Sequence, residues 1–469
     1  MLLDNTKNGF TLKTNFELKK AYLLFKIISS RTLTNIGKTV LEISLKLRLP
    51  ILFLIKKTVF EQFCSGESLD KSYETVKKLN LKNVKSYLHY SVEGLVSENS
   101  YDLALKEVLN SIEFVANKKI LDFTVFKPTA VASSIILEKV SNKKALDTNE
   151  LKEYDNAFQR FDKICRLAHI RGVKLLVDAE ESWIQDAIDE IVLKMMKNYN
   201  KEKVIIFNTL QMYRHDRLKY LKKLKNEADK NNFLLGVKIV RGAYIEKENR
   251  RTKRKNYRSP ICESKKLTDI NFNEGVEFII SNLKVFSIFC GTHNEESIYK
   301  IIDIMNLKRI DKNSSKIWFG QLYGMSDNIT FNLAAEGFNV IKYLPYGPIK
   351  EVIPYLIRRA EENTSVKGQT SRELDLIKLE RKKYFLEKKK NILSVKNVLE
   401  KNNLTPNEAK KYNIKIAMDG VKRSCLEVMG QRKVNMAKIR QIFTDMPGFP
   451  SSIENQVVID AHYMGYLRR

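Results

Sequence analysis

Polar and ionisable side chains recur at the ends of apolar, β-branched runs, where a buried strand should stay apolar and an unpaired polar group is costly. Lys127 follows the second such run, Asp178 and Glu180 close the third, and Asn208, Thr209 and Gln211 close the fourth. Lys238 and Arg241 interrupt the fifth, Thr292, His293 and Asn294 close the sixth, Gln321 and Tyr323 the seventh, and Tyr343 the eighth. Each alone could be an ordinary strand-end hydrogen bonder, which is a poor account of the whole set. Beyond the eighth run, YGPIKEVIPYLIRRAEENTS places Tyr355, Arg358, Arg359 and Glu362 on a helix. Arg358 and Glu362 are spaced i,i+4, Arg359 and Glu362 i,i+3, and Tyr355 lies one turn back on the same side. Two guanidiniums oriented by a local carboxylate make a fork for a substrate carboxylate, since each planar group can donate two parallel hydrogen bonds. A surface ion-pair network is the other reading of that helix taken alone.

The elements that must hold these residues are eight runs, Val84–Ser91, Phe123–Thr129, Val173–Glu180, Val204–Gln211, Leu235–Tyr244, Phe286–Asn294, Lys316–Met325 and Asn339–Pro348, alternating with amphipathic stretches. Eight strand–helix units within about 280 residues predict an α/β fold, a (β/α)8 barrel whose site lies at the carboxyl ends of the strands. There all the polar strand ends would share one mouth. An open doubly wound sheet is the alternative, but no G-x-G occurs in the chain, so neither a Rossmann phosphate turn nor a P-loop is apparent. The expected division is an N-terminal helical arm over 1–80, the barrel over 81–385, and a linker with a C-terminal helical segment over 386–469.

Lys and Arg number 83 against 55 Asp and Glu, a net charge of +28, which permits attraction to phosphates or an anionic membrane without requiring either. A Lys-, Asn- and Ile-rich coding background explains much of it. The five cysteines, Cys64, Cys165, Cys262, Cys290 and Cys425, are scattered without a CxxC, which fits a reducing cytoplasm and suggests neither disulfides nor zinc. His89, His169 and His215 lack metal-ligand spacing, and no metal is proposed. No apolar run is long enough to span a bilayer, so the expectation is a cytoplasmic protein that at most lies peripherally on the inner membrane.

Residues from about 5 to 385 resemble the monofunctional, FAD-dependent proline dehydrogenases. The blocks that carry the likeness are VDAEESWIQDAID (177–189), NTLQMYRHDRL (208–218), GVKIVRGAY (236–244), GTHNEES (291–297), FGQLYGMSDNITF (319–331) and KYLPYGPIKEVIPYLIRRAEEN (342–363). The resemblance implies a distorted TIM-like barrel with FAD at the strand ends. It implies oxidation of L-proline to Δ1-pyrroline-5-carboxylate, with electrons passed to a membrane quinone. Arg358 and Arg359 are similar to the pair that binds the proline carboxylate, with Glu362 ion-paired to them, and Lys127, Asp178, Tyr244, Leu322, Tyr343 and Tyr355 to the rest of the pocket. Lys238 resembles the basic residue near the reactive flavin nitrogen, Gln211 a flavin-ring contact, and Arg241, Gly242, Thr292, His293 and Asn294 further FAD contacts. The family commonly has Arg where this chain has Lys238; the charge is kept but not the fork. The Tyr343 hydroxyl is expected to disfavour 4-hydroxyproline.

After about residue 390 the pattern changes. LTPNEAKKY (404–412) reads as a capping box opening a helix, with Thr405 as N-cap and Glu408 at N3. DGVKRSCLEVMG (419–430) and IENQVVIDAHYMGYLRR (453–469) resemble the C-terminal helical region of the flavin-dependent enzyme that modifies the tRNA wobble uridine. That implies a second function class, a tRNA- or protein-partner-binding module for which the barrel is scaffold, beside the reading of the tail as a passive appendage.

Overall fold

The alternation closes into a parallel barrel of eight strands, in the order of the chain, in a computed structural model that describes residues 2–47, 50–90, 97–365, 369–431 and 433–467. The strands are β1 (Val84–Tyr90), β2 (Phe123–Phe126), β3 (Lys174–Val177), β4 (Ile206–Gln211), β5 (Leu235–Val240), β6 (Phe286–Gly291), β7 (Ile317–Leu322) and β8 (Val340–Tyr346). Closure is made by β1 and β8, which pair along their whole length from Val84–Val340 to Tyr90–Tyr346. All eight expected runs are strands, and most overrun at their carboxyl ends: β3 stops at Val177, β5 at Val240, β6 at Gly291 and β7 at Leu322. The overrun is physical. Asp178 and Tyr323 follow directly on their strands, each still donating a backbone N–H to a neighbouring strand, and Glu180, Tyr244 and His293 lie in the loops that make the mouth.

Alternation along each strand sorts side chains into two sets. One faces the helices: Leu88, Leu175, Val177, Ile206, Val237, Ile288 and Phe319 pack into a core with residues of the surrounding helices such as Phe161, Ile188 and Phe272. The other fills the barrel with aromatic rings. Phe123 of β2 meets Trp318 of β7 at 5.0 Å, Phe289 of β6 at 5.7 Å and Phe207 of β4 at 5.9 Å between centroids. Such edge-on contacts between distant strands are what a packed barrel interior requires. The same inner cluster continues through Tyr343 and Tyr355 to Phe10, Leu18, Phe25, Phe60 and Phe63 of the N-terminal arm, so the arm and the helix after β8 share one core with the barrel interior.

The chain forms two compact units, Met1–Ile377 and Lys378–Arg469. A helix over Gln369–Lys401 contains the charged run 381–390. In the second unit the capping box forms as the sequence indicates. Thr405 Oγ1 accepts from the Glu408 N–H while Glu408 reaches back to Thr405 N, and Pro406 opens the helix. Its core is its own, built on Val395, Leu399, Leu404, Cys425, Met429, Ile439 and Val457. Among the described residues no helix is long and apolar enough to cross a membrane.

Candidate active site

Lys238 points into the barrel from β5, where its ammonium lies 6.0 Å from the Tyr87 ring centroid and 5.9 Å from that of Phe289. An ammonium above this aromatic floor needs a counter-charge, and Asp178, one residue past β3, supplies it at 2.6 Å. The next loop residues are fixed from three sides. Glu180 accepts hydrogen bonds from Thr129 N and Thr129 Oγ1, both at 2.7 Å, its own N–H donates to Gln185 Oε1 at 2.9 Å, and its carbonyl accepts from Gln211 Nε2 at 2.7 Å. Burial raises the Glu180 carboxyl, and the charge of Lys127 opposes that rise. Gln211 also accepts from Ala243 N at 3.2 Å, bridging the β3 and β5 loops.

At the β5 end, Gly242 adopts φ +130°, and a Cβ there would meet the Tyr213 ring at 2.6 Å, so both backbone conformation and space demand glycine. Beside it Arg241 is a strut. It donates to Asp269 Oδ1 at 2.6 Å, Thr292 Oγ1 at 2.9 Å and Ser297 Oγ at 3.0 Å, with its guanidinium carbon 4.4 Å from the Phe272 centroid. Asn294 caps the helix Glu295–Leu307 through Ser297 N at 2.8 Å. Arg241, Thr292 and Asn294 thus form one bonded group that ties β5 to β6. Of the five guanidinium N–H bonds, these three are engaged inside the protein.

The opposite wall comes from β8 and its helix, Ile349–Ser365. Tyr343 OH is 2.5 Å from His89 Nδ1, and its ring is 5.3 Å from Tyr87 and 6.3 Å from Tyr355. The Arg359 guanidinium carbon lies 5.1 Å from the Tyr355 centroid. Burial, with the charges of Glu180 and Glu181, holds the Tyr244 phenol well above its ordinary range, and the charge of Arg358 opposes this. Burial, Lys342 and Arg359 together push His293 down to about 3. Leu322, the last residue of β7, has its N–H 3.5 Å from His293 Nε2. The two adjacent arginines are half-buried on this helix. Glu362 lies in the same helix, with its side chain outside the described residues.

Four polar residues outside the expected set also belong here: His89, Lys342, Asp327 and Glu373. Lys342 interrupts the apolar strand VIKYLPY as Lys238 interrupts LGVKIV, and the same reasoning would have found it. Glu373 accepts from Ser326 N at 3.0 Å, and burial and then Asp327 raise its carboxyl to about 7. A carboxyl raised in the fold loses stability as pH climbs from its unfolded value toward 7, whereas a histidine depressed to about 3 loses stability as pH falls below its unfolded value near 6.5. Between about pH 4.5 and 6.5 the two slopes oppose. Glu373→Gln removes the first, and its melting temperature is expected to climb more steeply with pH over that interval than the wild type's. Parallel profiles in scanning calorimetry would contradict this.

Comparison with known proteins places the chain in a family. Residues 72–372 match the proline dehydrogenase family. A proline dehydrogenase of Dictyostelium discoideum is 32% identical over 425 residues, covering 81% of this chain and 74% of its own. The chain belongs to the proline dehydrogenase family. As a member it is an oxidoreductase of proline catabolism. The carbapenem antibiotics biosynthesis protein CarD of Pectobacterium carotovorum is 36% identical over 318 residues, 68% of this chain and 82% of CarD. Among solved structures, proline utilization A (PutA) from Bdellovibrio bacteriovorus superposes with a TM-score of 0.61 at 20% identity, over 67% of this chain and 34% of PutA. That likeness concerns the barrel fold, and this chain spans about a third of that longer protein. Residues 379–469 match the C-terminal helical domain of the tRNA modifying enzyme MnmG/GidA, the second resemblance seen in the sequence.

Proposed function

We propose that this proline dehydrogenase holds FAD at the barrel mouth, oxidises L-proline to Δ1-pyrroline-5-carboxylate and passes the electrons to a membrane quinone, with Arg358 and Arg359 clamping the substrate carboxylate. What supports the reading is the packing of the Arg359 guanidinium on the Tyr355 ring at 5.1 Å, with Tyr355 in turn 6.3 Å from Tyr343 of the barrel interior and Arg358 half-buried beside it.

The residues at the mouth suit an anionic, polar cofactor. Lys238 and Arg241 supply cations, Arg241 has guanidinium N–H bonds beyond the three it uses internally, and the Gln211 amide has one N–H and one lone pair beyond its two bonds. Lys238, Gln211, Arg241, Gly242, Thr292, His293 and Asn294 would hold it, and bound flavin supplies the two-electron sink. Arg241, Thr292 and Asn294 serve chiefly by fixing the β5–β6 corner: Thr292 Oγ1 accepts from the Arg241 guanidinium and from the Asn294 backbone N–H, while the Asn294 side chain caps the following helix. His293, depressed to about 3, is neutral at physiological pH and acts as a contact and not as an acid.

The chain's own task is to bind and orient. The two arginines fix the carboxylate, Tyr343, Tyr355 and Leu322 wall off water, and the Lys238–Asp178 pair keeps a cation beside the reacting centre. Holding the ring within a fraction of an ångström of its reactive position accounts for much of the rate. Lys127 completes the charged side of the pocket. A cytoplasmic location with peripheral contact at the inner membrane fits a quinone acceptor.

Two measurements follow. Purified enzyme with L-proline and a soluble quinone analogue should yield an imine trapped by o-aminobenzaldehyde, and absence of the adduct with consumption of neither reactant refutes the reaction. Because Tyr343 OH is held by His89, Tyr343→Ser should raise turnover of 4-hydroxyproline relative to proline by about tenfold, the scale at which opening a pocket shifts selectivity. An unchanged ratio of kcat/KM values would remove Tyr343 from that role. The reading in which the barrel only carries a tRNA- or partner-binding tail is not favoured, because the proline dehydrogenase match covers residues 72–372.

A further inference from the structure

We propose that Lys342 is a positioning residue for the proline pocket, gathering the β7 loop from behind the sheet so that the Leu322 side chain stands where substrate must pass. This rests on the reading that Leu322 walls the pocket.

On β8, Tyr343 faces the barrel interior and Lys342, its neighbour, the helix side. Lys342 is 1% exposed. Its ammonium has three N–H bonds, and three oxygens of a single loop surround it: Leu322 O at 3.2 Å, Met325 O at 2.5 Å and Asp327 Oδ1 at 2.9 Å. The loop folds around this cation much as a peptide folds around a metal ion. Its path is unusual enough to need such a centre. Ser326 sits at φ 49°, a left-handed conformation that costs a residue with a Cβ on the order of 1 kcal/mol, and Gly324 at φ 75°.

Outer contacts then clamp the loop in place. Ser326 N donates to Glu373, Ser326 Oγ lies 2.9 Å from His293 Nδ1, and Gln62 Nε2 of the N-terminal arm donates to Gly324 O at 2.6 Å. None of these reaches Leu322 itself. Its carbonyl is held by Lys342 and by the Met325 N–H at 3.3 Å, and its N–H approaches His293. Removing the ammonium takes the shared donor from two carbonyls inside the protein and leaves Asp327 with Lys13, at 3.6 Å, as its cation, which favours movement of the loop away from β8.

A purely structural ion pair and a positioning residue differ in one readout. If Lys342 acts through Leu322, its effect on substrate must shrink once the Leu322 side chain is gone. The test is a double-mutant cycle of Lys342→Met and Leu322→Ala in the full-length, flavin-loaded enzyme, read as KM for L-proline, kcat and melting temperature. Lys342→Met is expected to raise KM about tenfold in the wild-type background and less than about threefold on top of Leu322→Ala. The fall in melting temperature should be similar in both backgrounds. Asp327→Asn, nearly isosteric, should repeat the coupling at smaller size, and carries the test should Lys342→Met not fold. Additive effects on KM, with Leu322→Ala itself impaired, overturn the positioning role while leaving the pocket reading intact. A Leu322→Ala enzyme with unchanged KM overturns the pocket reading and this inference with it.

Discussion

Arg358→Met and Arg359→Met are each expected to raise the KM for L-proline by at least about 30-fold, the scale of truncating one partner of a desolvated charge pair, with FAD still bound and kcat much less affected. The two effects should not add, because one carboxylate is shared by both cations and its second contact is weakened once the first is lost. Lysine at either position should recover only part of the loss, since an ammonium lacks the planar fork. The two sites differ in their controls. Arg359 packs on the Tyr355 ring, so its removal also disturbs that wall. Melting temperature therefore separates packing from binding at Arg359. Steady-state kinetics with saturating quinone analogue check the prediction, and an unchanged proline KM in both variants removes the pair from the site.

The second large effect is expected at Lys238. Its ammonium is 2.6 Å from Asp178, and both side chains are less than a fifth exposed. Lys238→Met strands the carboxylate against aromatic rings, which costs on the order of 2 kcal/mol of stability after allowing for partial exposure, and takes the cation away from the reacting centre. The expected outcome is a kcat lower by about a hundredfold or more, with a smaller change in KM, as for loss of a charge that acts on the transition state. Lys238→Met with Asp178→Asn should regain stability and not kcat. Lys238→Arg should keep kcat within about tenfold, since guanidinium preserves the charge and can still bond Asp178. A Lys238→Met enzyme with near-normal kcat would show that the cation serves only to balance Asp178.

Much of this was legible in the sequence. Parallel strands buried on both faces leave apolar runs that stand out, so all eight were found, and a lysine or carboxylate in such a run is conspicuous because burying it is expensive. That is why Asp178, Lys238 and Tyr343 were visible. Two things were hidden. The runs could not reveal where the strands stop, since Glu180 and Tyr244 continue the strand pattern beyond the last ladder residues. Nor could they reveal which polar residues bond to one another: Arg241 and Thr292 come from separate strands, and their bond depends on closure of the barrel. Lys342 shows a third limit, because nothing in VIKYLPY tells that its partners are the carbonyls of the preceding loop.

Anaerobic titration of the purified, full-length protein with L-proline, followed by visible absorbance, tests the clamp and the chemistry together. The account predicts a yellow flavin spectrum that bleaches saturably, with half-saturation displaced upward by at least about 30-fold in Arg358→Met. A protein that stays colourless when offered FAD, or a flavin band that proline leaves unbleached, would contradict it.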